Sequence, residues 1–208
     1  SLPVATAIAL VTTAITLTIA AEEPYSAVIA MGLPAVAVLS ARAFRGSWLA
    51  TLGVTLYLGI SATFYTLFTA AAALTVVSLI ALFTALYEHT WRPILRLVIM
   101  AVGSIAIALI AWGPYVWSVM HSPVPLQTTA QHYLPEEGTQ IPVPFLSLSI
   151  VGFLCLMGLI YIVIRLNDVE VRALGISLLG TYLWTVASMV ATLAGTTLLS
   201  FRLEVIVV

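Results

Sequence analysis

Apolar stretches long enough to cross a membrane alternate with short charged ones along this chain. Residues 2 to 21 carry no charge and stop at Glu22, Glu23 and Pro24. A second run, 25 to 41, contains Pro34, where the missing N–H predicts a kink, and ends before Arg42 and Arg45. Residues 48 to 87 are forty positions without a charge. That suffices for two crossings at about 20 residues each. Their turn is expected near Ser61 to Thr66, where Thr63, Tyr65 and Thr66 supply polar groups. The charged stretch 88 to 96 leads into a run over 97 to 117 that ends in Trp112, Pro114, Tyr115 and Trp117. A polar segment, 118 to 144, separates this from runs at 145 to 164 and 173 to 195, and a further run begins near the C-terminal Val208. The pattern predicts an all-α, polytopic transmembrane helical domain with seven spans and the start of an eighth. The short alternating segments of a membrane β-barrel do not occur.

Composition narrows the class further. The chain is 62% hydrophobic and 7% charged, and all seven of its basic residues are arginine. A soluble surface needs far more charge than this. The expected surroundings are membrane lipid, and a net charge of −1 gives no reason to expect nucleic acid. The single cysteine, Cys155, lies in an apolar run and reads as a buried, inert thiol. The first run is too long for the core of a signal peptide. With Ser1 at one end and an apolar run at the other, the sequence reads as a piece of a longer protein.

Arginine placement sets the expected orientation. If the first run starts inside, the inner loops hold Arg42, Arg45, Arg92, Arg96, Arg165 and Arg172. The outer side then holds Glu22, Glu23, Glu136, Glu137 and Glu204, with Arg202 as its one cation. The segment 118 to 144 falls outside. It carries five of the ten prolines, yet also Leu126, Tyr133, Leu134 and Ile141, so it reads as a lid over the outer ends of the spans.

Few residues can carry chemistry. Arg202, just past the seventh run, can hold a phosphate or carboxylate in its planar fork; it also fits an interfacial anchor or a partner for Glu204. Glu22 and Glu23 can act as a base at the outer mouth of the first run or be solvated loop acids. Asp168, the one aspartate, falls on the inner side beside arginines and reads as a loop charge. His121 and His132 lack the flanking pattern of a zinc site, so no metal and no cofactor is expected. His132 and Tyr133 suit hydrogen bonding to a sugar or packing within the loop. The threonines of the first run are expected to bond back to their own helix.

Five polar-edged strings carry a family resemblance. EEPYSAVI (22 to 29), SATFYTL (61 to 67), WGPYV (112 to 116), AQHYLPEEG (130 to 138) and YLWTVASMVATLAGTTLLSFRL (182 to 203) occur in the order of the galactan 5-O-arabinofuranosyltransferase family of the actinobacterial cell wall, which the chain resembles over nearly its whole length. The resemblance implies an integral membrane glycosyltransferase of GT-C type in the plasma membrane, with its site on the outer, periplasmic face. It implies decaprenylphosphoryl-arabinofuranose as lipid donor and the 5-hydroxyl of galactofuranose in galactan as acceptor. The resemblance implies a catalytic loop near the family's N-terminus and a soluble domain at its C-terminus, both outside residues 1 to 208. The catalytic base is accordingly expected elsewhere, with Glu23 a candidate in this chain. Arg202 is the implied phosphate contact, and Tyr65, His132 and Tyr133 are the implied sugar contacts. Two other classes stay open: a non-catalytic membrane partner in wall assembly, and a transporter, which would need polar groups near the midplane.

Overall fold

Helices make up every regular element among the described residues, which are 24–121 and 141–193 of this computed structural model, with the isolated positions 9 and 13. In chain order they are α1 (Pro24–Phe44), α2 (Trp48–Phe64), α3 (Thr66–Tyr87), α4 (Arg92–Met120), α5 (Ile150–Ile164) and α6 (Val169–Leu193). A 3-10 turn, Pro144–Leu146, precedes α5. The chain is a helical membrane domain: α3, α4 and the Val169–Ala191 part of α6 are long and apolar enough to cross a bilayer.

The expected count of seven full spans is not reached among these residues. The first run, apart from positions 9 and 13, and the beginning of the eighth lie outside them. Three other runs are shorter, with the apolar part of α1 covering Ile29–Phe44, α2 at 17 residues and α5 at 15. At 1.5 Å per residue α5 covers only about 22 Å of a hydrocarbon layer about 30 Å thick. The reason is local. α2 stops where Tyr65 turns extended, at φ −151° and ψ 97°, which bears out the expected break between Ser61 and Thr66. α5 starts at Ile150 rather than near 145, because the Ser149 side chain caps it by accepting from Gly152 N at 3.0 Å.

The charged stretches are helix stops and starts. α1 ends in a Schellman turn, in which Ser47 N donates to Arg42 O and Gly46 N to Ala43 O, both at 3.1 Å. Gly46 sits at φ +123°, where a side chain would be strained. Ser47 then caps α2 through Ala50 N, 3.2 Å away. α3 ends likewise: His89 takes φ +50° and Thr90 N reaches Ala85 O at 3.1 Å. Asp168, read as a loop charge, is the N-cap of α6, its carboxylate accepting from Glu170 N at 3.1 Å.

Successive helices reverse direction. Tyr57 of α2 meets Ile29 of α1, while Leu39 meets Gly53, so these two run antiparallel. α2 and α4 run parallel, with Arg96 beside Gly46, Gly103 beside Thr55 and Trp112 beside Ala62. Glu170 lies beside Arg42, which starts α6 next to the end of α1. α1 is the hub: Leu33, Val36, Ala37 and Phe44 form the core with Val54 and Leu58 of α2, Val76 and Ile80 of α3, Met100 of α4 and Ala173 of α6. α3 widens to a π-helix over Ala72–Val77. There Gly180 of α6 presses onto the carbonyl of Thr75, leaving no room for a Cβ. Pro34 lies inside α1, which stays helical on both sides of it.

Candidate functional site

The reversals sort the bundle into two ends. One gathers Arg42, Arg45, Arg92, Arg96, Arg165 and Arg172, the six arginines among the described residues. The other gathers the start of α1, the α2–α3 break at Tyr65, the ends of α4 and α6 and residues 141–149. Every undescribed segment that bears a sequence candidate joins the chain at this second end. Glu23 immediately precedes Pro24, His132 and Tyr133 lie between His121 and Ile141, and Arg202 follows Leu193. These four candidates lie outside the described residues, as does most of the expected lid.

Tyr65 is the one sequence candidate the structure describes. It is half-buried, its ring 5.0 Å from that of Phe68. Phe68 is fully buried with Ile29, Ala30 and Ala71, and Tyr57 and Trp184 pack against the same cluster. The Tyr65 backbone carbonyl accepts from both the N–H and the hydroxyl of Thr69, at 3.3 and 3.1 Å. The break in the helix is thus held by packing and by its own hydrogen bonds.

Three aromatic side chains hold backbone carbonyls at this end. The Trp112 indole donates to Ala62 O at 2.8 Å. Ala62 is among the last four residues of α2, whose carbonyls lose their helical partners where the helix stops. Tyr57 donates to Ile29 O at 2.5 Å, beside Ala30, whose carbonyl faces the N–H that Pro34 lacks. Tyr182 of α6 donates to Pro142 O at 2.7 Å and ties down the returning end of the polar segment. Trp112 is half-buried and turns toward α2, whereas Tyr115 and Trp117 are exposed. A polar-tipped aromatic inside an apolar run is the sequence signal for such a residue.

At the opposite end four of the arginines have structural partners. Arg42 contacts Glu170 at 2.5 Å, and Arg45 lies 3.6 Å from Glu88. Arg96 donates to the carbonyls of Ala43 and Gly46 and lies 4.8 Å from the Trp48 ring centre, stapling α4 to the α1–α2 turn. Arg172 lies over Phe83 and Tyr87. Thr13, one of the two described positions in the first run, bonds back to Ala9 O at 2.7 Å, as expected. Cys155 is half-buried, not buried.

A groove of about 510 Å³ lies between α3 and α4, with α2 as its floor. It begins near Val77 and Leu97 and extends toward Thr66 and Ala108. The lining is almost entirely apolar. Three of its four hydroxyls bond to protein acceptors: Thr69 to Ser61, Ser78 to Ala73 O and Ser104 to Thr55 O. Sequence reading did not locate this groove, although Ala101, Ser104 and Ala108 mark a face of small residues along α4.

Over all 208 residues the chain is 50% identical to the galactan 5-O-arabinofuranosyltransferase of Corynebacterium glutamicum, covering 100% of this chain and 32% of that protein. To the protein of the same name from Mycolicibacterium smegmatis it is 42% identical over 198 residues, 92% of this chain and 32% of the relative. To that of Mycobacterium tuberculosis it is 37% identical over 203 residues, 93% of this chain and 32% of the relative. The chain therefore spans about a third of the length of these curated relatives. The model of the family described as arabinofuranosyltransferase N terminal matches residues 1–208, so the chain belongs to that family.

Proposed function

We propose that this chain is part of the membrane domain of a galactan 5-O-arabinofuranosyltransferase, which moves arabinofuranose from decaprenylphosphoryl-arabinose to the 5-hydroxyl of a galactofuranose in cell-wall galactan. The observation that carries the reading is the family match over the entire chain, together with relatives that all bear this name. In this reading the arginine end faces the cytoplasm and the Tyr65 end faces outward. Seven spans cross the membrane in the full chain, and residues 118–144 cover their outer ends.

Transfer forms a bond from the acceptor oxygen to the anomeric carbon and breaks the bond from that carbon to the donor phosphate. The acceptor hydroxyl gives its proton to a base, and the polyprenyl phosphate leaves with the bonding pair. The base belongs to a part of the enzyme outside residues 1–208, with Glu23 a candidate within them. Arg202 meets the charge that develops on the phosphate. Tyr65, His132 and Tyr133 contact the sugars. Support for a shared site comes from the connectivity, since the segments bearing these residues all join the bundle at the end that carries Tyr65.

The test is transfer by the full-length protein with lipid donor and galactan acceptor. Arg202→Ala is expected to slow transfer by roughly ten- to a hundredfold, the worth of a charged hydrogen bond to phosphate. Arg202→Lys recovers part of this, because it keeps the charge without the fork. Near-normal transfer by well-folded Arg202→Ala protein leaves Arg202 as an interfacial anchor. Labelling of a cysteine at position 168 from outside intact cells, in a Cys155-free background, reverses the orientation.

A further inference from the structure

We propose that the cleft between α1, α3 and α6 at the arginine end binds the headgroup phosphate of an anionic glycerophospholipid of the bilayer. That lipid is a membrane component distinct from the sugar donor, and the cleft lies at the end of the bundle away from Tyr65.

Arg172 carries the assignment. It is the fourth residue of α6, half-buried, and not a loop charge. A cation in the first turn of a helix opposes the macrodipole, so helix stability does not explain it. Its guanidinium lies over the rings of Phe83 and Tyr87, 5.2 and 5.1 Å from their centres, and these two rings are stacked 5.8 Å apart. Among the described residues no protein acceptor takes a hydrogen bond from that guanidinium. An arginine held on aromatic rings with its fork uncommitted suits a phosphate. Arg45, just past the end of α1, lines the same cleft. Its Nε is 3.6 Å from Glu88 Oε1, beyond hydrogen-bond distance.

The neighbouring charges already have partners. Glu170 accepts from Arg42, Asp168 caps α6, and Arg96 holds the carbonyls of Ala43 and Gly46. Thr84, the other polar side chain in the cleft, donates to Ile80 O. The cleft thus sets two guanidiniums against one carboxylate, Glu88, and keeps an excess of one positive charge. A phosphodiester with an uncharged headgroup carries one negative charge; a choline phospholipid carries none. Basic pockets between membrane helices take anionic headgroups in this way.

The depth fits a lipid rather than a soluble phosphate. Tyr87 ends α3 and Arg172 lies in the first turn of α6, and both helices are long and apolar enough to cross a bilayer. Trp48, Tyr87 and Trp91 are exposed at this end, as aromatic residues are at headgroup level. Deeper in, the cleft is walled by Ile80, Ala173 and Ile176. Arg172, Ile176 and Leu179 share one face of α6, and Leu179 is exposed, so an acyl chain can run along α6 from a phosphate at Arg172. The cleft holds only about 10 Å³, so the phosphate rests on its mouth.

The test uses detergent-solubilised full-length protein in about 0.15 M salt, where distant exposed charges are screened. Bound lipid is counted by native mass spectrometry during titration with phosphatidylglycerol or with phosphatidylcholine of the same chains. Wild type is expected to prefer phosphatidylglycerol. Arg172→Ala is expected to lower phosphatidylglycerol affinity about tenfold or more, the worth of a charged hydrogen bond to phosphate. Arg172→Lys recovers part of this, keeping the charge without the fork. Arg92→Ala, at an exposed arginine of the same end outside the cleft, changes affinity less than about twofold. Glu88→Gln removes the opposing carboxylate and is expected to tighten binding about two- to fivefold, a gain that a folding defect cannot mimic. Glycerophosphoglycerol, the headgroup without chains, does not displace the lipid.

Equal affinity for the two lipids overturns the proposal. So do equal losses in Arg172→Ala and Arg92→Ala, which leave only the diffuse attraction of a basic membrane face, and so does a Glu88→Gln protein that binds no tighter than wild type. Displacement by glycerophosphoglycerol as effective as by phosphatidylglycerol also overturns it, in favour of a soluble phosphodiester.

Discussion

The two ends of the bundle solve the same problem with different chemistry. Each must satisfy backbone carbonyls left over where helices stop. At the arginine end the turns satisfy themselves: Gly46 and His89 adopt positive φ, Ser47 and Asp168 cap the following helices, and Arg96 adds a charged donor. At the Tyr65 end the donors come from other helices. Trp112 reaches 50 residues back to Ala62, Tyr57 reaches 28 to Ile29, and Tyr182 reaches 40 to Pro142. The first end is closed mainly by its own turns, with Arg96 and the Arg42–Glu170 pair added across helices. The second depends on tertiary packing, and it is where the segments bearing Glu23, His132, Tyr133 and Arg202 attach.

Substitutions sharpen this contrast in order of size. At the waist, Gly180→Val puts a branched side chain into the Thr75 carbonyl and separates α6 from α3. A loss of roughly 3 kcal/mol is expected, the upper range for overpacking. Thermal unfolding in detergent should show it, with both ends loosening together by amide exchange. Trp112→Phe keeps the ring but removes the donor to Ala62 O. A cost of about 1 to 3 kcal/mol follows for a carbonyl left unpaired away from water. Amide exchange should rise around residues 60–66 and stay unchanged around 42–47; a change confined to the arginine end would break the comparison.

Smaller effects belong to the arginine end. Arg42 and Glu170 form an exposed pair, with side chains 57% and 47% accessible. Replacing either with alanine is expected to cost about 0 to 1 kcal/mol, less at high salt. His89→Gly should stabilise by under about 1 kcal/mol, because glycine relieves the left-handed backbone at some cost in chain entropy. A melt below wild type would show that the His89 side chain does more than terminate α3.

Much of the helical frame was legible in the chain. The turn near Tyr65, the arginine-bearing loops and the back-bonding of Thr13 follow from local rules: backbone hydrogen bonds must close within a helix, and charge stays out of hydrocarbon. Helix length was less legible, as α5 shows. Its apolar pattern begins near 145, but Ser147 turns back to Pro144 and Ser149 makes the cap. Asp168 illustrates a local role hidden by a charge-based reading, since a loop acid and an N-cap look alike until the next helix is located.

The sequence by itself determined the class, the alternation of direction and, through its polar-edged strings, the family. It did so because span length, charge exclusion and short motifs are read from neighbouring residues. Only the tertiary structure decided that Trp112 turns toward Ala62, that Gly180 lies against the π-helical turn at Thr75, and that α3 and α4 flank a groove over α2. Each of these joins residues far apart in the chain, and apolar side chains on a membrane helix look alike whether they face lipid, a groove or another helix.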